Sequence, residues 1–100
     1  MLLYNVTVFV EESIAEEWLN WMQTSHIPEV MAVGLFENFR ILKVLDSPNE
    51  GFTFCMQYEV ASKANYDEYQ TVYAPALQAQ TAAKFGEKAI AYRTLMEIVG

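Results

Sequence analysis

Hydrophobic and polar residues alternate along four segments of the chain, and two longer segments between them carry apolar residues at helical spacing. The alternation predicts strands, because successive side chains of a strand point to opposite sides of a sheet. The first helix is expected to begin at the N-cap Ser13, with Glu16 as its capping-box partner, and to end at Gly34. The second should run from the cap Ser62 to Gly86. The predicted strands are Leu3–Val10, Phe36–Leu45, Phe52–Val60 and Lys88–Ile98.

Each predicted helix contains a proline. Pro28 has no backbone N–H and disfavours helical angles in the residue before it, so the first helix should stop or kink near His26. A short second turn, Pro28–Ala32, is expected to follow. Pro75 is predicted to kink the second helix without ending it, because apolar residues continue at helical spacing beyond it.

The predicted order of elements, β-α-β-β-α-β, is typical of the ferredoxin-like fold, which belongs to the α+β class. In this fold two helices cover one face of a four-stranded antiparallel sheet, and residues 1–100 are expected to form a single domain. The strand side chains predicted to face the helices are Tyr4, Val6, Val8, Val10, Phe52, Phe54, Met56, Tyr58, Ile90, Tyr92, Met96 and Ile98.

The opposite face of the sheet is predicted to mix polar and apolar side chains. For the second strand the pattern leaves the orientation open, and we favour Arg40 on this face with Leu42 and Val44. So much apolar surface is unusual on a monomer. We therefore expect a homodimer whose two sheets pack face to face as a dimeric α/β barrel, around either a ligand cavity or a wet interface. The other residues assigned to this face are Leu3, Asn5, Thr7, Phe9, Thr53, Cys55, Gln57, Ala89, Ala91, Arg93 and Leu95.

The composition limits the classes of partner. A net charge of −7 with only six Lys and Arg residues argues against nucleic acid and anionic membranes. Cys55 is the only cysteine, so no intrachain disulfide can form, and a reducing compartment is favoured. The first residues, MLLYNVTVFVEES, lack a basic leader, and no apolar run reaches the roughly 18 residues of a membrane span. We therefore expect a cytoplasmic protein.

The sequence contains few residues that indicate catalysis. One histidine and one cysteine far apart do not make a metal-ligand cluster, and four scattered glycines do not make a phosphate loop. Neither a metal nor a cofactor is expected. His26 is the one side chain that titrates near neutrality, and its position at the predicted helix break makes it the candidate acid or base. The alternative is a structural histidine that caps helix-end carbonyls or is simply exposed on the flank of the helix.

Five further side chains are candidates for binding a ligand. Asn5, Arg40 and Arg93 are suited to orienting a polar substrate, and the two arginines suit an anion. Ion pairs between these arginines and Glu59 or Glu97 are the alternative. The full set of ligand-binding candidates is Asn5, Trp18, Glu29, Arg40 and Arg93.

Nearly the whole chain resembles a family of small bacterial proteins that is defined only as a domain of unknown function. The resemblance implies the dimeric α/β barrel and no particular activity. Its most specific pieces are Trp18-x-x-Trp21-Met22, His26-Ile27-Pro28-Glu29-Val30, and Ala74-Pro75-x-Leu77 followed by Phe85-Gly86. The matching segments are YNVTVFVEESIAEEWLNWM, HIPEVMAVGLFENFRILKVL, YAPALQAQ and KFGEKAIAYRTLMEIV.

By architecture the chain is also similar to cofactor-independent monooxygenases, haem-degrading oxygenases, sugar mutarotases and ligand-sensing regulatory domains. Asn5 is similar to the strand asparagine of the oxygenases, and His26 ahead of Pro28-Glu29 is loosely similar to the histidine of the mutarotases. The haem-degrading enzymes take a histidine from the second helix, and Ser62–Phe85 contains none. Such likeness is fold-level analogy and is weak evidence for function.

Two functions are therefore predicted. The first is a non-catalytic dimer that binds a small metabolite or a partner protein. The alternative is a cofactor-independent enzyme of the monooxygenase, mutarotase or isomerase type, with His26 as acid or base. A cavity reaching both His26 and Arg40 would favour the enzyme, and a filled sheet interface would favour the non-catalytic dimer.

Overall fold

Four antiparallel strands form the sheet of the computed structural model, which describes residues 1–48 and 50–100. Every strand begins and ends within two residues of its predicted bounds. The turn residues of Asp46–Gly51 predict a hairpin loop between the second and third strands. This segment includes Asn49, which lies outside the described residues. The strands are β1 (Leu2–Val10), β2 (Phe36–Lys43), β3 (Phe52–Val60) and β4 (Ala89–Glu97), and their order across the sheet is β2, β3, β1, β4.

Two helical stretches cover one side of this sheet, which confirms the predicted α+β, ferredoxin-like arrangement. Each stretch consists of two α-helices joined by a five-residue π-helical turn. The first stretch comprises α1 (Ala15–Trp21), the first π turn (Met22–His26) and α2 (Ile27–Ala32). The second comprises α3 (Lys63–Glu68), the second π turn (Tyr69–Tyr73) and α4 (Ala74–Phe85).

The first helix is predicted to stop or kink near His26, and it does not stop there, because a π turn accommodates the proline. The expected second piece, Pro28–Ala32, lies within α2 (Ile27–Ala32). Ile27 keeps helical angles (φ −62°, ψ −43°), and its N–H donates to the carbonyl of Met22, five residues earlier. A regular α-helix would bring the proline ring against the carbonyl four residues back, and the wider π turn relieves that crowding. The second stretch repeats this arrangement at Ala74 and Pro75, so the predicted continuation of the helix through Pro75 is confirmed.

The predicted helix ends are confirmed at three positions and wrong at one. Ser62 caps α3, since its Oγ accepts a hydrogen bond from the Asn65 N–H at 3.1 Å. Gly34 and Gly86 follow α2 and α4 with φ angles of +84° and +56°. Ser13 is not an N-cap, because it lies inside a short 3₁₀ turn, Glu12–Ile14, that makes no side-chain capping bond.

The core lies between the sheet and the helices, and the predicted inward sets of β1 and β3 are confirmed. The alternate residues of β1 and of β3 from Phe54 onward are buried, and Phe52 is half-buried. Trp18 is fully buried between the layers and stacks on the Phe54 ring, with centroids 5.1 Å apart. The buried strand residues of this core are Tyr4, Val6, Val8, Val10, Phe36, Phe54, Met56, Tyr58 and Val60.

The predicted orientation of β4 is wrong. Val8 pairs with Ala91 and Val6 pairs with Arg93, and paired residues lie on the same face of a sheet. Arg93 therefore lies on the helix side, together with Ala89, Ala91 and Leu95. The bulky residues Ile90, Tyr92 and Met96 lie on the other side. Both faces of β4 carry apolar residues, so hydrophobicity alone could not orient it.

We call the side of the sheet without helices the open face. Arg40 pairs with Gln57 and Leu42 pairs with Cys55, which confirms the favoured orientation of β2. Much of this face is exposed and apolar. Its residues are Leu3, Asn5, Thr7 and Phe9 from β1, Arg40 and Leu42 from β2, Thr53, Cys55, Gln57 and Glu59 from β3, and Ile90, Tyr92, Thr94 and Met96 from β4.

Candidate functional site

A pocket opens between β4 and the two helical stretches, and we call it the helix-side pocket. It exists because β4 presents the small side chains of Ala89 and Ala91 to the helices, where larger residues would fill the layer. Its volume is about 50 Å³, which is room for roughly three to five water molecules. The lining residues are Tyr4, Val6, Val8, Trp18, Met22, His26, Met56, Tyr58, Tyr69, Gln78, Thr81, Ala89, Ala91 and Arg93.

His26, the last residue of the first π turn, is one wall of this pocket. Its ring stacks on Trp21, with centroids 5.4 Å apart and an interplanar angle of 27°. Its Nδ1 lies 3.5 Å from the hydroxyl of Thr81, which in turn donates to the carbonyl of Leu77. When the Thr81 proton is held by that carbonyl, the hydroxyl oxygen accepts from Nδ1–H, and Nε2 keeps its lone pair. His26 is thus held by side chains rather than by helix-end carbonyls.

The surroundings of His26 keep its imidazole uncharged. Burial, and to a smaller extent the positive charge of Arg93, lowers the pKa of His26 from 6.5 to about 4. The ring is therefore neutral at pH 7. Burial likewise raises the pKa of Tyr58 and of Tyr69, so both phenols stay protonated at neutral pH. Among these lining groups, only Arg93 carries a charge at pH 7.

Arg93 comes from β4 and extends over the pocket. Arg93 lines the pocket together with His26 and Tyr69, and its charge acts to lower the pKa of both groups. Within residues 1–48 and 50–100, Arg93 forms neither an ion pair nor a hydrogen bond. The expected pairing of Arg93 with a glutamate is therefore not observed in the described part of the chain.

Trp18 contributes a buried polar group as well as an apolar surface. The side chain is fully buried, and its Nε1 has no hydrogen-bond partner among the described residues. An unpaired buried N–H costs about 1–3 kcal/mol in folding stability. Trp18 also belongs to the lining of the pocket.

The six sequence-predicted site residues separate into two groups and one outlier. His26, Trp18 and Arg93 come together in the helix-side pocket. Asn5 and Arg40 lie on the open face, across the sheet from it. Glu29 is exposed in α2 and does not line the pocket. The pocket therefore joins His26 to Arg93 rather than to Arg40.

Asn5 and Arg40 belong to a chain of hydrogen bonds across the open face. Arg40 Nε donates to Gln57 Oε1 at 2.9 Å, and Gln57 Nε2 donates to Asn5 Oδ1 at 3.2 Å. Asn5 Nδ2 then donates to Thr7 Oγ1 at 2.9 Å, and Thr7 lies 3.6 Å from Cys55 Sγ. These polar groups largely satisfy one another, which is typical of polar residues that become buried in an interface.

Sequence reasoning missed Gln78, Thr81, Ala89 and Ala91 as pocket residues. Gln78 and Thr81 are three residues apart in α4 and therefore share a helix face. The two alanines alternate with bulky residues along β4, and this small-large alternation was the available signal for a gap beside the helices.

The described residues contain neither a cluster of metal-ligand side chains nor a helix suited to span a membrane. In that part of the chain no three His, Cys, Asp or Glu side chains lie close enough to hold a metal ion. None of its helices combines the length and apolar character needed to cross a bilayer.

Comparison with known proteins confirms the family resemblance and the fold. The model of DUF4286, a domain of unknown function, matches residues 1–99. No curated protein matches the chain. HapK from Hahella chejuensis superposes with a TM-score of 0.74 at 13% identity, over 100% of this chain and 94% of that one.

Two further solved structures share the fold. An ethyl tert-butyl ether D (EthD) family protein from Bacillus halodurans has a TM-score of 0.68 at 14% identity, over 99% of this chain and 100% of its own. A dimeric ferredoxin-like protein from an uncultured marine organism has a TM-score of 0.64 at 14% identity, over 99% and 94%. At such low identity these likenesses establish the architecture alone.

Proposed function

The chain belongs to the DUF4286 family, a domain of unknown function, and we propose that it binds a small metabolite in the helix-side pocket without transforming it. The observation that supports this proposal is the convergence of His26, Trp18 and Arg93 on one cavity above two alanines. A mostly apolar cavity with a few polar groups aimed at one region is the usual form of a small-molecule site.

The chemistry of the lining favours binding over catalysis. A histidine with a pKa of about 4 is a weak proton acceptor, because general bases work best with a pKa near the operating pH. The other titratable lining groups are tyrosines and Arg93, and no second group near neutrality is available to return a proton. The polar atoms are well suited to holding a ligand, whereas the set lacks a matched acid and base.

Filling the pocket tests this proposal. The variant Ala91→Leu places a larger side chain in the cavity, and Ala64→Leu makes the same change at an exposed position of α3 that does not line it. Each purified protein is denatured, released small molecules are identified by mass spectrometry, and compounds found are titrated back. We expect wild type and Ala64→Leu to bind them and Ala91→Leu to lose binding. Equal binding by a folded Ala91→Leu would contradict the proposal.

An enzyme using His26 as base is the second candidate, and one observation favours it. Thr81 orients Nδ1, and the neutral ring leaves Nε2 free to take a proton inside the pocket. A bound anion would offset the Arg93 charge and raise the pKa of His26 toward its usual value. Deuterium exchange from D₂O into a bound ligand, lost in His26→Gln, would support this enzyme. Binding with no exchange and no product supports the non-catalytic function.

We also propose that two copies of the chain associate through the open face. Ile90, Tyr92 and Met96 there have exposed fractions of 49%, 60% and 38%, which is unusual for a face that stays in water. Four strands of about nine residues cover roughly 550 Å² at standard strand spacing. Small stable interfaces bury about 600–800 Å² per partner. The open face with its margins therefore has about the smallest area that a stable dimer interface needs. One structural neighbour is described as dimeric.

Such a dimer would leave both helix-side pockets accessible, because they lie across the sheet from the interface. It would also enclose the hydrogen-bond chain from Arg40 to Thr7, whose polar groups already pair with one another. Enclosed polar groups that are satisfied add little cost to association. The open face is therefore proposed as the assembly surface, and the helix side as the ligand surface.

A further inference from the structure

Arg93 is an uncompensated positive charge in an acidic protein. The chain has 13 Asp and Glu residues against six Lys and Arg. Lys63 and Lys84 each contact a carboxylate. In the described part of the chain the other four cationic side chains, Arg40, Lys43, Lys88 and Arg93, contact no carboxylate. Of these four, only Arg93 lines the helix-side pocket, together with His26. Guanidinium groups pair well with carboxylates and phosphates, because their planar donors match two acceptor oxygens.

The remaining lining groups limit the negative charge that the pocket can hold. His26 and the buried tyrosines are neutral at pH 7, and most other lining side chains are apolar. One arginine can neutralise one negative charge. A phosphate dianion would leave a second charge uncompensated in a partly desolvated site, within a protein of net charge −7. The pocket therefore suits a monoanion.

The cavity also limits the size of that anion. A volume of about 50 Å³ corresponds to roughly three to five waters, so the part of the ligand that enters the pocket is small. We infer that the ligand is a short-chain monocarboxylate, held by its carboxylate on Arg93 with its hydrocarbon part above Ala89 and Ala91. This inference rests on the helix-side pocket being the ligand site, as proposed above.

The geometry gives each part of such a ligand a partner. Arg93 is at the solvent side, so the carboxylate binds at the rim and remains partly hydrated. The carbon chain replaces water against the apolar wall that includes Val8 and Met56. An amine would be repelled by Arg93.

Isosteric probes test the charge requirement. Butanoate, butanamide and propylphosphonate have similar hydrocarbon parts and differ in the head group. Titrated into the intact protein at pH 7 and followed by NMR, butanoate should bind at least about tenfold more tightly than butanamide, which corresponds to one charge-assisted hydrogen bond. At pH 9, where the phosphonate is mainly a dianion, butanoate should also bind more tightly than the phosphonate. Equal affinity for acid and amide, preference for the phosphonate, or no binding of butanoate at tens of millimolar would each overturn the inference.

Matched variants locate the effect. Arg93→Gln should weaken butanoate binding at least about tenfold and leave butanamide unchanged, whereas Arg93→Lys should retain part of the difference. Lys84→Gln removes the same charge from α4 outside the lining and should behave as wild type. Unchanged butanoate binding by a folded Arg93→Gln would overturn the inference.

A separate variant distinguishes failure of the ligand class from failure of the site. If acid and amide bind equally and Ala91→Leu abolishes both, the ligand class is wrong and the proposed binding site stands. If butanoate binds equally to wild type and Ala91→Leu, the helix-side pocket is not the site, and both proposals fail.

Discussion

The imidazole of His26 packs against the Trp21 ring, reaches the Thr81 hydroxyl and lies near the Arg93 charge. Two of these neighbours favour the neutral ring: Trp21 excludes water, and Arg93 repels a proton. Protonating His26 in the folded protein is therefore costly, whereas the unfolded chain takes the proton near pH 6.5. Folding stability must depend on pH through this one residue.

We predict that His26 makes the protein lose stability as the pH falls from about 6.5 to 4. In this window the unfolded state binds the proton and the folded state does not, so acid favours unfolding. The full difference is at most about 3 kcal/mol, at 1.36 kcal/mol per pKa unit. Urea unfolding of wild type and His26→Gln at pH 7 and pH 4.5 measures it. The variant should lose less stability on acidification, and parallel losses would contradict the lowered pKa.

At the same scale, sequence reasoning located His26 and Trp18 beside a site but placed Arg93 on the wrong side of the sheet. The error came from treating Ile90, Tyr92 and Met96 as core residues because of their size. The helix side of β4 accepts only small residues where Trp18 and His26 occupy the layer, and bulky residues of β4 lie on the open face. The alternation within one strand cannot reveal which face of β4 meets the helices, because that depends on the size of the helix side chains packed against it.

Both helical stretches accommodate an internal proline with a π turn. In each, a π turn directly precedes an Xaa-Pro pair, and the helix continues. The first π turn supplies Met22 and His26 to the pocket, and the second supplies Tyr69. The prolines indicated a disturbance at the correct positions. The sequence did not show that the helices would widen rather than break. A π turn differs from an α turn only in that the N–H donates to the carbonyl five residues back instead of four.

The turn before β3 offers a sharp test of local geometry. Gly51 has a φ of +79°, and a Cβ there would overlap the carbonyl oxygen of Val10. Gly34 has a similar φ of +84°, and no atom lies near its missing Cβ. We predict that Gly34→Ala costs about 1 kcal/mol of unfolding free energy from backbone strain, and that Gly51→Ala costs clearly more. Urea denaturation compares them, and equal losses would show that the contact with β1 is unimportant.

At the scale of the whole molecule, the sheet separates two surfaces of different character. The helix side contains the pocket. The open face is broad and largely apolar, and no helix of the described residues covers it. The four strands, their order along the chain and the ferredoxin-like arrangement followed from the sequence, because each strand has alternating side chains and clear flanking turns. The pocket could not be predicted from the sequence, because it depends on how closely the helix side chains pack against those of the sheet.

We predict that Tyr92→Glu converts the protein into a monomer. Tyr92 is 60% exposed on the open face and packs edge-on against Phe9, with centroids 5.5 Å apart. A carboxylate there would be buried without a partner in the dimer. Light scattering at low micromolar concentration should give twice 11.5 kDa for wild type and 11.5 kDa for the variant.

The control places the same charge on the other side of the molecule. Val72 is 61% exposed in the second π turn, so Val72→Glu should remain dimeric. A monomeric wild-type protein would refute assembly through the open face. Dissociation by both variants would point to a general loss of folding.

The central claim is that a ligand occupies the helix-side pocket, and the indole N–H signals test it most directly. The chain has two tryptophans, so a ¹⁵N-labelled sample gives two indole resonances, of which Trp18 lines the pocket. Pooled small metabolites, including carboxylates, amines and alcohols, are added in turn. The account predicts that a binding compound shifts the Trp18 indole resonance and the amides of Ala91 and Arg93, while those of Asn5 and Gln57 stay in place. Binding that moves the Asn5 and Gln57 signals and leaves Trp18 unchanged would contradict it, because the ligand would then lie on the open face.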